Sequence, residues 1–520
     1  MTKSYQAQKK SPNCLSKKIA LFQNSGLISY DQKFLRPDFK KVGFFRFKKH
    51  AESFLITNDI GSYSFLSPQQ FQSFLNGNIS NDDEKKYKEL QESGFIRDQL
   101  NFDDLISRFA LKNGYLGQGT SLHIVVVTLR CDHKCIYCQA GSKSTEEKKY
   151  DMDILTARKT VDRIFESPSK NINIEFQGGE PLLNFEAIKE IISYSSEKNK
   201  TKKKNLMFLL VSNFHLMTEE KLDFFIKNNV SFCTSLDGPA PIHDVNRITS
   251  EKNSHKITTH WIREIKSKIS NNKKYKYKVN ALTTVSKVSL SFSKEIVDEF
   301  ISLGFEGIHL RPVNPFGINK NCWQNLNFSA EDFLAFYRKA LNYIIELNLN
   351  GIKFYERSAR IFLQKILDET DPNFLDFRSP CGAGIGQLAY NFNGDVYTCD
   401  EGRMLSVNND ESFKVGNVFD NQHSDFINNE TTKTLCMASC LSNISSCNDC
   451  VYNPYCGVCP IYNYATDNTI FSQMANNERC SMSKGILDFI FEKLKDEKSK
   501  GVLLQWLRKD NLTKKKGGAD

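Results

Sequence analysis

Three cysteines with short, irregular spacing are the clearest candidates for chemistry in this 520-residue chain. Cys131, Cys135 and Cys138 form a Cys-x3-Cys-x2-Cys motif directly after an apolar run. Three thiolates this close together can hold an iron–sulfur cube and leave its fourth iron without a protein ligand. An open coordination position is typical of a catalytic site. A zinc site with a distant fourth ligand, His133 or His243, fits the same spacing.

Glycine and polar residues follow the next three apolar runs of the chain. They are Gln177-Gly178-Gly179-Glu180, Ser212-Asn213 and Ser235-Leu236-Asp237. Glycines let backbone approach a ligand closely, and Glu180 offers an acceptor for an amino group. We therefore expect these groups and the cysteine motif to surround one binding site.

The elements that must position these residues alternate between strand-like and amphipathic helical patterns. The six strand candidates are His123–Leu129, Asn173–Phe176, Leu206–Ser212, Ser231–Ser235, Lys278–Thr284 and Gly307–Pro312. The helical patterns include Ile154–Phe165, Phe185–Glu197, Glu219–Lys227, Glu331–Leu347 and Arg357–Leu367. This alternation predicts an α/β fold with a parallel sheet or partial barrel, whose chemistry gathers at the carboxyl ends of the strands.

A second group of cysteines lies in the C-terminal part of the chain, where periodicity fades. Its nine members are Cys381, Cys399, Cys436, Cys440, Cys447, Cys450, Cys456, Cys459 and Cys480. Such a region usually folds around metal, and a reducing compartment would keep its thiols free. The Cys-x2-Cys pairs at 447–450 and 456–459 also suit a pair of zinc knuckles. Cys14, Cys233 and Cys322 stand outside both groups.

The composition of the chain narrows the kinds of molecule that the protein could bind and the places where it could reside. Seventy Lys and Arg against 60 Asp and Glu give a net charge of +10, which falls largely in Lys runs. This pattern argues against dedicated nucleic-acid binding, although a basic surface can steer an acidic peptide. The absence of a long apolar run argues against a membrane span, and the polar N-terminus argues against a secretory signal. We expect a cytoplasmic protein.

A smaller unit precedes the strand–helix alternation. Phe44–Phe47, Ser53–Thr57 and Tyr63–Leu66 read as strands. Ser67 is a plausible N-cap for a helix that ends near Leu75, with Pro68 at its first position. A second helix, rich in Glu and Lys, is expected from about residue 83 to residue 92.

The cysteine motif together with Gly178-Gly179-Glu180, and with Tyr137 before the last cysteine, resembles the radical S-adenosylmethionine (SAM) superfamily. The resemblance implies a partial (β/α)6 TIM-like barrel and a [4Fe–4S] cluster that binds SAM at its open iron. Reductive cleavage of SAM then releases a 5′-deoxyadenosyl radical, which abstracts hydrogen from a substrate. By the same resemblance, SAM would contact Gln177, Gly178, Gly179, Glu180, Asn213, Ser235, Asp237 and Arg247.

The C-terminal cysteines resemble the SPASM extension of radical enzymes that modify peptides, which holds two auxiliary [4Fe–4S] clusters. The resemblance assigns the outer cluster to Cys447, Cys450, Cys456 and Cys480, and the inner cluster to Cys381, Cys399 and Cys459. The fourth inner ligand would be Cys436 or Cys440, or an iron would stay open. The gap before Cys459 is two residues, where the usual gap is three. Asp400 occupies the position of a proton-accepting acid in sulfatase-maturing relatives; a structural acid that caps a turn is the alternative.

Over residues 43–490 the chain resembles the radical maturase B of the His-Xaa-Ser system. The runs that carry this resemblance begin at Phe54, Phe65, Ser121, Ile174 and Thr234. It implies a precursor peptide with His-Xaa-Ser repeats, a second radical maturase and an external electron donor. Its expected product is a crosslinked or oxidised residue.

The expected domain organisation follows from these resemblances. It comprises an N-terminal arm (1–42), a winged-helix-like module that binds a leader peptide (43–112), the radical SAM core (120–375), the SPASM domain (376–485) and a C-terminal helix with a basic tail (486–520). Two other functions remain open: oxidation of Ser or Cys to formylglycine, as in sulfatase maturation, and a zinc-organised binding protein without catalysis.

Overall fold

The first elements of the protein form a small unit of strands and helices, in a computed structural model that describes residues 37–98, 100–272, 274–317 and 320–507. The elements are β1 (Arg46–His50), β2 (Ser53–Thr57), β3 (Tyr63–Leu66), α1 (Pro68–Leu75), α2 (Ile79–Asp82) and α3 (Glu84–Glu92). The strands form an antiparallel sheet in chain order. Ser67 caps α1 as predicted, because its side chain accepts from the backbone of Gln70 and the Gln70 side chain accepts from Ser67.

The helices of the remaining chain begin with α4 (Phe102–Asn113). Those around the parallel strands are α5 (Ile154–Phe165), α6 (Phe185–Lys202), α7 (Glu219–Lys227), α8 (Ala240–Asn246), α9 (Ser254–Ser270), α10 (Ser293–Ser302), α11 (Lys320–Leu326), α12 (Ala330–Leu349) and α13 (Arg357–Leu367). Those that follow are α14 (Asp400–Leu405), α15 (His423–Asn428), α16 (Glu430–Ser439), α17 (Ser445–Asn448), α18 (Pro460–Asp467), α19 (Glu478–Lys495) and α20 (Glu497–Leu507). None of the helices in the described ranges has the length and apolarity that crossing a bilayer requires.

The remaining strands belong to one large sheet and two short ribbons. They are β4 (Leu122–Thr128), β5 (Lys134–Cys135), β6 (Asn171–Gly178), β7 (Asn205–Ser212), β8 (Ser231–Ser235), β9 (Arg247–Ile248), β10 (Val279–Val285), β11 (Gly307–Ile308), β12 (Leu310–Pro312), β13 (Tyr355–Glu356), β14 (Gln387–Tyr390), β15 (Asp395–Tyr397) and β16 (Lys414–Asn417). The large sheet has the order β12-β10-β8-β7-β6-β4-β14-β15-β16.

The parallel half of this sheet confirms the predicted α/β class. Strands β4, β6, β7, β8, β10 and β12 pair in parallel in chain order, and each corresponds to one predicted strand. Strand β4 is buried along most of its length because helices cover a parallel sheet. The carboxyl ends of these strands therefore lie along one edge.

The C-terminal cysteine region extends this sheet, which the sequence did not predict. Strand β14 pairs in parallel with β4, from Gln387 opposite Leu122 to Tyr390 opposite Val125. Strands β15 and β16 continue the sheet antiparallel. Strands of three or four residues are too short to give a readable alternation of apolar and polar side chains.

The described residues cluster into two compact units. One holds those up to Asn58 with Tyr63–Phe102, and the other holds Asp59–Ser62 with those from Asp103 onward. The division precedes the expected boundary at residue 112, which falls inside α4. The expected arm up to residue 36 and the tail from residue 508 lie outside the described residues.

Candidate functional site

The loop with the first three cysteines follows β4 and is fixed by backbone pairing. Strand β5, which contains Cys135, pairs antiparallel with β9, and the Ile136 amide donates to the Asn246 carbonyl at 2.9 Å. The Cys131 amide donates to the carbonyl of Lys143 at 3.0 Å. The three thiols are half-buried and line one cavity of about 260 Å³, here called the cysteine cavity.

Gly178 and Gly179 allow two backbone segments to pack closely beside this loop. A Cβ on Gly178 would lie 2.2 Å from the carbonyl oxygen of Thr128, and one on Gly179 would lie 2.3 Å from that of Arg130. The Gly179 amide donates to the Thr128 carbonyl at 2.9 Å. Both glycines line the cysteine cavity. Because β6 comes this close to the end of β4, both positions require glycine whether or not a ligand also approaches them.

Glu180 is fully buried and does not line the cysteine cavity. Its carboxylate accepts hydrogen bonds from the Leu182 amide (3.0 Å), the Ser212 hydroxyl (2.8 Å) and the Asn213 amide (2.9 Å). Burial, followed by the charge of Asp132, raises the pKa of Glu180 to about 7. In this structure Glu180 holds the end of β7 in place.

A buried ion pair supports the opposite wall of the cavity. Arg247 donates from Nε to Asp237 Oδ2 at 3.2 Å and from Nη2 to Oδ1 at 3.3 Å. The Tyr137 hydroxyl and the Thr284 amide also donate to the Asp237 carboxylate. Arg247 Nη1 lies 4.0 Å from Cys135 Sγ. Arg247 is therefore buried beside the cysteine loop.

The other predicted SAM contacts line the cavity directly. Gln177, Asn213 and Ser235 contribute amide and hydroxyl groups from the ends of three neighbouring strands. The Asn213 side chain donates to Asp132 Oδ1 at 2.9 Å. The structure thus brings together every predicted contact except Glu180 and Asp237, which lie behind the lining.

Helix α14 brings two acidic side chains from the C-terminal region to the same cavity. Asp400 and Glu401 both line it. Asp400 is buried, and its Oδ1 accepts from Arg403 Nε at 2.8 Å. Burial, followed by the charges of Asp376 and Asp400, raises the pKa of Glu401 to about 6. Sequence reasoning missed Glu401, although its place two residues after Cys399 was the available signal.

The C-terminal cysteines fall into two spatial groups. One narrow cavity of about 30 Å³ is lined by Cys447, Cys450, Cys456, Cys459 and Cys480. Cys381, Cys399 and Cys459 share an apolar cluster with Phe316, which also lines the cysteine cavity. The four predicted outer cysteines thus lie around one cavity and the three predicted inner ones in one cluster, with Cys459 in both; which cluster each cysteine binds stays a prediction.

Cys436 and Cys440 lie at the end of α16, close to the inner set. The Cys381 amide donates to the Ser439 hydroxyl at 2.9 Å, so the end of this helix lies against the backbone of Cys381. Which of the two cysteines, if either, completes the inner set stays a prediction.

Thiols in both cysteine groups are buried. Burial raises the pKa of Cys135 and Cys456 to about 12, and that of Cys447 and Cys459 to about 11. A bound metal ion deprotonates such thiols outright. The grouping of three or more thiols around one space, in each cysteine group, is what fits thiolate-bound metal.

Few groups of ligand atoms are close enough together to hold a single metal ion. In the described part of the chain, the one trio of Cys, His, Asp and Glu ligand atoms within 4.8 Å of one another belongs to Cys131, Asp132 and His133. Tetrahedral zinc, with Zn–S bonds of about 2.3 Å, would hold its sulfurs less than about 4 Å apart. No three ligand atoms of the described C-terminal cysteines lie within 4.8 Å of one another, so in this structure they are not gathered as tetrahedral zinc requires.

Comparison with known proteins agrees with this geometry. Residues 125–277 match the Radical SAM superfamily. The chain is 26% identical over 345 residues to a cysteine-type anaerobic sulfatase-maturating enzyme of Clostridium novyi, covering 65% of this chain and 86% of that one. It is 22% identical to a serine-type enzyme of Bacteroides thetaiotaomicron, covering 64% and 80%.

A solved structure shares the fold. Native anSMEcpe with bound AdoMet and Kp18Cys peptide superimposes with a TM-score of 0.58 at 20% sequence identity, covering 73% of this chain and 99% of that chain. The chain therefore contains a domain, residues 125–277, that matches the Radical SAM superfamily, and this domain carries the cysteine motif at the end of β4 and most of the parallel sheet.

Proposed function

We propose that this enzyme modifies a ribosomally made peptide by radical hydrogen abstraction, with one SAM-binding cluster and two auxiliary clusters. One observation carries the proposal: Asp400 and Glu401, which directly follow Cys399 of the inner set, line the same cavity as Cys131, Cys135 and Cys138. The two cysteine regions therefore meet at one reaction site. A substrate in this site would be within reach of both.

The cofactors are a [4Fe–4S] cluster and SAM, which together supply a 5′-deoxyadenosyl radical that removes a hydrogen atom from the substrate. Cys131, Cys135 and Cys138 would hold the cluster. Arg247, fixed by Asp237, presents a guanidinium to the cavity that suits a carboxylate. Asn213 and Ser235 offer hydrogen bonds to polar groups of SAM.

The residues of the C-terminal region supply the rest of the proposed site. Cys447, Cys450, Cys456 and Cys480 would hold an outer auxiliary cluster, and Cys381, Cys399 and Cys459 an inner one. An external electron donor would reduce the SAM-binding cluster. The ion pair with Arg403 fixes the Asp400 carboxylate at the cavity wall, where it would accept a proton from the substrate.

The proposed substrate is a precursor peptide with His-Xaa-Ser repeats, and a second radical maturase would act on the same peptide. The product would be a crosslinked or oxidised residue. The proposal rests on the long runs that resemble maturase B. Co-expression with the precursor followed by mass spectrometry tests it: a loss of two hydrogens is expected, and an unchanged peptide of unchanged stereochemistry would contradict it.

Oxidation of Ser or Cys to formylglycine is the second candidate. The sulfatase-maturating relatives and the position of Asp400 directly after Cys399 favour it. Formylglycine is an aldehyde, so a hydrazide probe would label the product peptide. A crosslinked product would give no labelling.

The first unit is the proposed binding site for the leader of the precursor. Strands β1 and β3 are the edges of its sheet, and an extended leader could add a strand there. Leader binding is measured for the whole chain and for one that begins at Asp103. Equal affinities would end this part of the proposal.

Metal analysis tests the clusters themselves. Anaerobically purified protein is expected to hold about twelve iron atoms per chain, as three cubes require. Changing Cys131, Cys135 and Cys138 together to Ala is expected to remove about a third of the iron and to abolish 5′-deoxyadenosine formation. Cys322→Ala, at an exposed cysteine outside both groups, is the control. Zinc with little iron would overturn the radical function.

A further inference from the structure

Two further cavities lie beside the strands of the parallel sheet, and one of them adjoins the cysteine cavity. A lumen cavity of about 440 Å³ shares with the cysteine cavity the residues Gln177, Val211, Leu282, Arg311, Asp400 and Glu401. A mouth cavity of about 540 Å³ shares with the lumen cavity the residues His309, Arg357, Pro372 and Phe374. The three cavities therefore adjoin in sequence.

Strand β10 runs along all three and sets their direction. Its residues Val279–Ala281 line the mouth cavity, Leu282 lines the lumen cavity, and Thr283 and Thr284 line the cysteine cavity. The mouth cavity thus lies at the amino ends of the strands, opposite the cysteine loop. A peptide that entered there would reach the cysteine cavity through the lumen.

The mouth cavity is basic. Lys266, Lys278, Arg357 and Arg360 line it, and Glu306 is its one acidic lining residue among those described. Glu306 is occupied by its contact with Lys278. Lys266 donates to the carbonyl of Leu303 at 2.7 Å, and burial lowers its pKa to about 8.

The two arginines of the mouth have only aromatic partners in the described ranges. Arg357 lies 5.6 Å from the ring centre of Phe374, and Arg360 lies 4.6 Å from that of Tyr355. Neither has a carboxylate within salt-bridge distance there. Their guanidinium groups therefore keep their hydrogen-bond donors for a ligand, and a guanidinium pairs best with a carboxylate.

Farther inward acidic side chains outnumber basic ones in the lining of the lumen cavity. His309, 5% exposed, lines both the mouth cavity and the lumen cavity, and its Nδ1 has no hydrogen-bond partner among the described residues. Four acidic residues line the lumen cavity, Glu175, Asp376, Asp400 and Glu401, together with the two basic residues Arg311 and Arg357. An anionic group is thus favoured more at the mouth, where four basic residues face one acidic residue, than in the lumen, where four acidic residues face two basic ones.

From this arrangement we propose that the mouth cavity binds an acidic segment of the peptide substrate, three to five residues from the residue that is modified. The inference rests on the proposed function as a peptide-modifying enzyme. The spacing follows from β10, in which Ala281 and Val279 precede Thr284 by three and five positions, each worth about 3.3 Å. An extended peptide beside this strand covers the same rise per residue.

Binding of short labelled peptides to the anaerobically prepared full chain tests the inference. Two fluorescein-labelled peptides with amidated C-termini differ only in carrying Glu or Gln at the same positions. We expect the Glu peptide to bind at least about tenfold more tightly, with a difference that shrinks as salt is added. The double variant Arg357→Gln/Arg360→Gln should bind the Glu peptide about tenfold more weakly than the wild type does. Its affinity for the Gln peptide should stay nearly the same.

A matched variant controls for loss of net charge. Lys200→Gln/Arg263→Gln removes the same charge from exposed positions on α6 and α9, and should bind both peptides as the wild type does. Equal affinities of the two peptides, or an equal loss in both double variants, would overturn the inference. The inference would also be overturned if a Gln peptide with a free C-terminal carboxylate bound as tightly as the Glu peptide, because acidic side chains would then not be needed.

A separate measurement distinguishes this inference from the proposed function. Reductive SAM cleavage is assayed in the same wild-type preparation and in the Lys200→Gln/Arg263→Gln control. Cleavage without preference for the Glu peptide would remove the acidic-segment site alone. Preference for the Glu peptide without cleavage would support the site and contradict the radical chemistry.

Discussion

At the scale of single residues, close backbone packing explains the glycine pair more directly than ligand binding does. The sequence suggested Gly178 and Gly179 as places where a ligand approaches. The structure shows that neighbouring carbonyl oxygens already occupy the space a Cβ would need. Substitution should therefore act first on the position of the cysteine loop.

Gly179→Ala is expected to destabilise the second unit by about 1–3 kcal/mol, the usual cost of overpacking. The new Cβ would lie 2.3 Å and 2.6 Å from the carbonyl oxygens of Arg130 and Leu129, which cannot rotate away. The measurement is urea unfolding followed by tryptophan fluorescence, because all three tryptophans lie in the second unit. Gly501→Ala, in open space on α20, should instead stabilise by about 0.5–1 kcal/mol. Equal effects of the two changes would contradict this explanation.

Glu180 should make stability depend on pH. Its pKa in the folded protein, about 7, lies above its ordinary value of 4.5, so the folded state keeps the proton to higher pH than the unfolded chain does. Its contribution to stability therefore falls as pH rises through this interval, by about 3 kcal/mol at most.

Glu180→Gln removes this titration and should become more stable relative to the wild type as pH rises from 4.5 to above 7. A Gln side chain has one acceptor oxygen where the Glu180 carboxylate has two, for the same three hydrogen-bond donors. This loss should lower the free energy of unfolding by about 1–3 kcal/mol at the low end of that pH interval. Unfolding free energies at both ends of the interval provide the test. A difference between the two proteins that does not change with pH would sink the prediction.

At the scale of elements, helix starts could be read from the sequence because capping is local. Ser67 caps α1 in the first unit, and Ser329 caps α12 in the second with the same reciprocal arrangement, Asp332 taking the place of Gln70. Each cap satisfies backbone donors that the first turn of a helix leaves without partners. These two serines therefore offer a matched pair in separate units.

Ser67→Ala and Ser329→Ala should each destabilise their own unit by about 1 kcal/mol. Because the tryptophans report only the second unit, Ser329→Ala should shift the fluorescence transition and Ser67→Ala should leave it in place. Far-ultraviolet circular dichroism would detect the first unit as well. A shift of the tryptophan transition by Ser67→Ala would mean that the two units unfold together.

At the scale of the whole molecule, the C-terminal cysteine region is part of the large sheet. Strand β14 covers the edge of β4, whose residues Ile124–Val127 are buried and apolar. A chain that ends at residue 375 would expose this edge, and an uncovered apolar edge strand pairs with other chains.

We therefore expect the chain that ends at residue 375 to aggregate, as seen by size-exclusion chromatography. A chain that begins at Asp103 keeps the complete sheet and should remain monodisperse by this measure. A well-folded, monodisperse protein from the first truncation would show that β14 is dispensable.

The sequence by itself determined the features that depend on local pattern. Buried parallel strands read as apolar runs, and the six predicted strands correspond to the observed ones within a few residues. Cys131, Cys135 and Cys138 could be assigned to one loop because their spacing allows little else. The polar groups at the strand ends could be placed together because parallel strands end on one side.

Only the tertiary structure decided which of those groups face the cavity and which support it. Glu180 and Asp237 follow strands just as Asn213 and Ser235 do, but neighbouring donors hold the two carboxylates behind the lining. Asp400 and Glu401 reach the cysteine cavity because β14 and β15 carry the C-terminal region across the sheet edge. Such contacts join residues that are far apart in the chain, so no local sequence pattern encodes them. Their free energy comes from packing and hydrogen bonds that exist only once the sheet has formed.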